Sequence, residues 1–140
     1  MRYWPSLVER LVIGGLLELG IVIPTFNELA NVATLIARLD RALAGRNWEA
    51  IFVDDDSPDD TAGAALMIAR HDPRGRVIQR IGRRGLSSAC IEGMCATAVP
   101  FVPVIDGDLQ HDETLLPAMH ARLQVAPGSS QARSSRYWPR

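Results

Sequence analysis

Four short, mainly apolar runs recur along this chain, with segments of helical periodicity between them: Leu19–Ile23 (LGIVI), Trp48–Val53 (WEAIFV), Val77–Gln79 (VIQ) and Phe101–Ile105 (FVPVI). Runs of this length and apolarity suit strands buried on both faces, and an intervening helix is the usual crossover between parallel strands. The economical fold is therefore α/β, an open, Rossmann-like, mainly parallel sheet with helices on both faces. Right-handed crossovers bring every strand-to-helix loop to one edge of such a sheet.

Between the strands, Asn27 is expected to cap a helix starting near Glu28, with Val32, Leu35, Ile36, Leu39 and Leu43 at helical spacing and Gly45 ending it. A second helix runs from Asp59 or Asp60 to His71, before Asp72–Gly75 turns the chain. A third opens at Gly85 and extends to Ala98, and a fourth spans Leu115 to Val125, with Pro117 tolerated in its first turn. Pro24 is expected to stop the first strand, and Pro103 costs the fourth one ladder donor. Residues 1–18 read as a helical N-terminal extension on Leu7, Val8, Leu11, Val12, Leu16 and Leu17, weakened by Gly14 and Gly15. That helix packs on its own domain or lies at an interface, yet Glu9 and Glu18 offset Arg2 and Arg10, so it lacks a strongly basic face.

A length of 140 residues allows one small domain or part of a larger one. With 47% hydrophobic residues, 22% charged and a net charge of -1, the composition is that of a globular chain and gives no reason to expect nucleic acid. No apolar stretch approaches the ~20 residues of a membrane-spanning helix. Cys90 and Cys95, five apart within one helix, fit neither a redox pair nor a four-cysteine zinc site and are expected to be buried, reduced thiols.

The chemistry-bearing residues fall in the rim loops. Asp106 and Asp108 directly follow the fourth strand and, at this spacing, an extended backbone would put both carboxylates on one side, roughly 6 to 7 Å apart. A bend at Gly107 brings them toward a common cation, and Gln110 can add a carbonyl ligand or hold a metal-bound water. Oxygen ligands without a histidine cluster favour Mg2+ or Mn2+ held partly through a substrate diphosphate. The plain alternative is a solvated acidic turn.

In the Asp54–Asp56 cluster, Asp54 or Asp55 is placed to hydrogen-bond a base or ribose, while Ser57, Asp59, Asp60 and Thr61 can cap the helix that follows. Pro24, Thr25, Asn27 and Glu28 present main chain to a flat base, or Glu28 simply favours the helix dipole. Arg80, Arg83 and Arg84 compensate diphosphate charge beside Gly85, or form a solvated basic surface. His111 reads as a supporting or surface residue. A dinucleotide-binding dehydrogenase is disfavoured, because the first strand leads into Pro-Thr-Phe-Asn-Glu and not a Gly-rich turn.

Taken together, Ile21–Glu28 (IVIPTFNE), Val53–Thr61 (VDDDSPDDT), Gly85–Ala89 (GLSSA) and Ile105–His111 (IDGDLQH) resemble the inverting family 2 glycosyltransferases, particularly the dolichol-phosphate mannosyltransferase and polyprenyl-phosphate sugar transferase branch. The resemblance covers about residues 19–125. It implies a GT-A fold, a nucleotide diphosphate sugar such as GDP-mannose or UDP-glucose, Mg2+ or Mn2+, and a dolichyl or polyprenyl phosphate acceptor. Carried onto this chain, Pro24, Phe26 and Glu28 border the nucleotide, Asp55 contacts its base or ribose side, and Arg84 and Gly85 face the diphosphate. Asp106, Asp108 and Gln110 surround the metal and diphosphate, with Asp106 and Asp108 activating the leaving group. Departures are Thr61 directly after Asp60 where many relatives place glycine, Gly107 in place of a common alanine, and Pro100 and Pro103 in a strand that relatives leave uninterrupted.

Ser134–Tyr137 (SSRY) resembles the next element of the family, in which Arg136 retains a phosphate-contacting role, and the sequence then stops. The expectation is a partial GT-A domain over residues 19–140, the nucleotide-sugar-binding half, with an open sheet edge inviting self-association. The implied reaction transfers mannose or glucose to a lipid phosphate with inversion, in the cytoplasm at the inner face of the cell membrane with peripheral membrane contact. The rival expectations are a family 2 enzyme using another acceptor, and a fragment that binds donor without transfer.

Overall fold

In the computed structural model, residues 16–125 are described together with the backbone of Arg2–Tyr3. The strands are β1 (Arg2–Tyr3), β2 (Leu19–Thr25), β3 (Trp48–Asp54) and β4 (Gly75–Gln79), and the helices are α1 (Val32–Ala42), α2 (Thr61–His71), α3 (Leu86–Cys95) and α4 (Leu116–Val125). The sheet order is β1-β4-β3-β2. Strands β2, β3 and β4 are parallel, with Val22 beside Ile51 and Val53 beside Ile78, while β1 pairs antiparallel at the far edge through Arg2 and Ile78. The expected mainly parallel α/β sheet is thus present.

Alternation along the central strands separates two cores. Ile21, Ile23, Trp48, Ala50, Phe52 and Val77 pack with Leu35 and Leu39 of α1, Ala65 and Ala69 of α2 and Leu116 of α4. On the opposite face Val22, Ile51, Val53 and Ile78 meet Ala89 of α3. That second face also holds a buried ion pair, Arg76 to Glu49 at 3.2 Å. Its edge is tied to the end of α3, because Thr97 donates to Glu49 at 2.6 Å and Arg76 donates to the Ala96 carbonyl.

The structure revises several local expectations. Phe101–Ile105 lies parallel to β2 on its free side, but as two isolated bridges, Leu19 with Phe101 and Val22 with Val104, and not as a continuous strand. Gly20 N–H donates to the Phe101 carbonyl and Val22 N–H to that of Pro103, with Ile105 N–H returning to Val22. Pro103 itself has no N–H to offer, which limits the ladder. Pro24 does not stop β2, since it lies in register with Val53. Gly20 and Val22 turn their amide groups toward residues 101–105, and Pro24 shares that direction at the level where the neighbouring segment has already turned away, so no donor is missed.

Helix α1 starts at Val32, four residues later than expected, and Asn27 has φ of 58°, so it is no helix cap. Arg2–Tyr3 is a strand and residues 16–18 are not helical, while residues 4–15, on which the expected N-terminal helix mainly falls, lie outside the described residues. Cys90 is half-buried and Cys95 exposed, both free, so only the reduced state of the cysteine expectation holds. No helix among the described residues is long and apolar enough to cross a membrane.

Candidate functional site

The strand-to-helix loops meet at the carboxyl edge of the sheet, where side chains of one motif satisfy the backbone of another. Three consecutive N–H groups after β2 are taken by the loop after β3: Asn27 donates to Ser57 Oγ at 2.9 Å, Glu28 to Thr61 Oγ1 at 2.9 Å and Leu29 to Asp59 Oδ2 at 3.2 Å. These bonds fix the bend at Phe26 and Asn27 and postpone α1. Asp59 also accepts the Thr61 N–H and hydroxyl, and that hydroxyl bond, acting against slight burial, holds its carboxyl below the ordinary range. The expected cap of α2 is therefore supplied by Asp59, whereas Asp60 makes no side-chain cap and has φ of 67°.

The two candidate acids at the end of β3 divide their work. Asp54 is fully buried and accepts from Thr25 Oγ1 at 3.1 Å, Ser57 Oγ at 2.6 Å and Ser57 N–H at 2.9 Å, which locks the β2 and β3 exits together. With all three bonds internal, Asp54 is a structural acid. Asp55 is the one that faces the next loop: Oδ1 accepts from Arg80 at 2.9 Å and Oδ2 from the Gly85 N–H at 2.7 Å.

Arg80 is buried, and besides Asp55 it reaches the Gly85 carbonyl at 3.1 Å, Ser88 Oγ at 2.5 Å and Glu92 at 3.5 Å. It thus pins the turn before α3, and its burial takes it out of the solvated basic surface that the sequence offered as one alternative. Arg83 pairs with Glu92 at 3.0 Å. Arg84 lies over the exposed Phe26 ring, 4.3 Å from its centroid, so two of the expected nucleotide-side residues meet across the crevice. Gly85, at φ of 136°, makes the turn in a backbone conformation that side chains disfavour.

Asp106 and Asp108 flank Gly107, which is buried so closely that an added Cβ would lie 3.0 Å from Thr25 Cγ2 and 3.2 Å from Glu28 Cγ. The acidic loop therefore sits directly against the expected nucleotide segment, with Glu28 also accepting from the Asn31 side chain. Asp108 Oδ1 accepts the Gln110 N–H at 3.0 Å, Oδ2 takes no such bond among the described residues, and the Gln110 side chain is exposed. Among the described residues no group of three or more histidine, cysteine or acidic side chains gathers as a metal centre. Asp106, Asp108 and Gln110 would offer only oxygen donors, the chemistry that suits Mg2+ or Mn2+.

Two residues joined to this rim were read from the sequence only as a buried thiol, Cys90, and as a supporting or surface residue, His111. Burial pushes the Cys90 thiol of α3 up, and the negative charges of Asp106 and Asp55 add to the effect. His111 accepts the Asp106 N–H at Nδ1, 3.0 Å away. Neither contact has a local signal, although both positions follow from helix and loop geometry once the sheet order is known. Arg136 lies outside the described residues.

Comparison with known proteins shows the family and the fold of this chain. A dolichol-phosphate mannosyltransferase from Pyrococcus furiosus is 39% identical over 121 residues, 86% of this chain and 34% of that protein. One from Saccharomyces cerevisiae is 30% identical over 110 residues, 76% of this chain and 41% of that protein. The chain thus spans about a third to two fifths of the length of these curated relatives. The solved mannosyltransferase from Pyrobaculum calidifontis, in complex with GDP-Man and Mn2+, superposes with a TM-score of 0.65 at 20% identity over 90% of this chain and 34% of that one, which shows the shared fold. Residues 20–133 match the profile of Glycosyl transferase family 2, and the chain belongs to that family.

Proposed function

We propose that this chain binds a nucleotide diphosphate hexose and serves its transfer, as mannose or glucose, to the phosphate of a dolichyl or polyprenyl lipid with inversion. The observation that carries the reading is the joining of three motifs at one rim, through Asn27, Glu28 and Leu29 donating to Ser57, Thr61 and Asp59, and through Gly107 seated on Thr25 and Glu28. Pro24, Phe26 and Glu28 border the nucleotide. Asp55 acts on its base or ribose side, oriented by Arg80 and the Gly85 N–H. Arg84 and Arg136 serve the diphosphate. The names of the relatives favour mannose as the sugar and dolichol phosphate as the acceptor.

Asp106, Asp108 and Gln110 would hold Mg2+ or Mn2+, which when bound supplies Lewis-acid neutralisation of the departing diphosphate. The residues themselves orient the donor and keep its leaving oxygens at the rim. A phosphate acceptor is already anionic near neutral pH, so no protein base is needed to deprotonate it. The lipid implies peripheral contact with the inner face of the cell membrane, and the sheet edge beside the partly exposed Val104 offers a route to self-association.

Incubation with labelled GDP-mannose, Mn2+ and polyprenyl phosphate in detergent, followed by extraction of the lipid, tests the reading. Labelled lipid phosphate, lost in the Asp106→Asn/Asp108→Asn variant, is the expected result. Donor binding without transfer would instead identify this chain as the donor-binding part, and transfer to a hydroxyl acceptor would overturn the lipid assignment.

A further inference from the structure

Beyond Ile105, whose N–H reaches Val22, the acidic loop leaves the sheet, and its first carboxylate is attached to a backbone with no further strand bond. Its second carboxylate has a local anchor, the Gln110 N–H on Asp108 Oδ1. Leu109 between them turns at φ of 64°, and its carbonyl accepts from Arg38 at 3.4 Å. For Asp106 the corresponding anchor is His111. Its Nδ1 accepts the Asp106 N–H at 3.0 Å and closes residues 106–111 into a ring. An accepting Nδ1 carries no hydrogen, so in the neutral imidazole the proton is on Nε2.

We propose that His111 is a positioning residue for the cation site, fixing the backbone of Asp106 so that its carboxylate stays beside that of Asp108. The inference rests on the assignment of Asp106 and Asp108 to a divalent cation. It requires an acceptor at the Nδ1 position and nothing of the outer ring nitrogen. Asparagine places its side-chain oxygen at nearly the same distance from the backbone as Nδ1, whereas glutamine places it one bond further out, nearer Nε2. The two amides therefore separate the latch from mere bulk or polarity.

Hydrogen exchange of the Asp106 amide by NMR in the metal-free chain, and calorimetric titration with Mn2+ in the presence of GDP, are measured for wild type, His111→Ala, His111→Asn and His111→Gln. His111 is exposed, and exchange of the β3 amides checks that each variant keeps its fold. The expected result for His111→Ala is faster Asp106 exchange and Mn2+ binding weakened by about 10-fold, the lower end of what loss of a ligand's supporting partner costs. His111→Asn restores both readings and His111→Gln restores neither. Wild-type Mn2+ affinity in His111→Ala, or equal rescue by glutamine, overturns the latch while leaving the cation site standing. Absence of Mn2+ binding by the wild-type chain overturns the cation assignment and the role of His111 with it.

Discussion

Replacing Gly93 by alanine tests how closely α3 is seated on the sheet. An added Cβ would lie 2.4 Å from Val22 Cγ1 and 3.0 Å from Val53 Cγ2. Carbon atoms in comfortable contact are ~3.5 Å apart or more, so the first contact is short by over 1 Å. Relief by the valines is costly, since both are fully buried in paired strands and their χ1 angles are stiff. The helix must rise instead, at an overpacking cost of about 1–3 kcal/mol, and the shortness of the contact places it at the upper end. Alanine also favours a helix over glycine by roughly 1 kcal/mol. The difference is a net loss of about 2 kcal/mol, which lowers the urea midpoint by about 1 M for a chain with a slope near 1.5 kcal/mol/M.

Urea titration followed by circular dichroism measures it, and a Val22→Ala/Gly93→Ala double variant should recover part of the loss, because the truncated valine makes room for the new methyl group. A Gly93→Ala chain as stable as wild type, or more stable, would refute the packing argument and show that helix propensity governs this position. The consequence reaches the rim, because α3 carries Ser88 and Glu92, both joined to Arg80.

Other expectations follow from individual contacts. Arg80→Met leaves Asp55 without its cation in a largely buried setting and is expected to cost about 3 kcal/mol, the low end for breaking such a pair; thermal or urea unfolding with a loss below 1 kcal/mol would contradict the hub assignment. At Asp72, burial works against the charge, but hydrogen bonds from Arg74 outweigh it and hold the carboxyl below its ordinary value of 3.8. Its ion pair therefore stabilises the fold above that value and is lost as pH falls through the lower folded value, so the stability gap between wild type and Asp72→Asn should close on acidification, as unfolding midpoints across pH would reveal. Cys95, exposed, should be alkylated by iodoacetamide well before Cys90, whose thiol is pushed up by burial and by Asp106 and Asp55; peptide mass spectrometry showing Cys90 modified first would place that thiol in a different environment.

The parallel sheet was legible because buried strands and their crossover helices carry their own local signatures, and the match extends to the ends of β3 and α2 within a residue or two. What escaped was set by distant parts of the chain. Nothing near Asn27 announces that Ser57, Asp59 and Thr61 will take the N–H groups with which α1 was expected to begin. Pro24 read as a strand stop because its missing donor is harmless only when the neighbouring segment has turned away at the same level. Arg80 and Arg84 are four residues apart and alike in composition, yet one is buried under Asp55 and the other lies over Phe26. The acidic motifs were visible as candidates; the separation of Asp54, with its internal bonds, from Asp55, which holds the next loop, required the folded geometry.

Binding of a nucleotide sugar through a divalent cation at Asp106 and Asp108 is measured by calorimetric titration with GDP-mannose and with UDP-glucose, each with and without Mn2+. The expected result is saturable binding of one donor that depends on Mn2+ and is weakened in the Asp106→Asn/Asp108→Asn variant. Binding that is indifferent to Mn2+ and to those substitutions, or no binding by the folded chain, would contradict it.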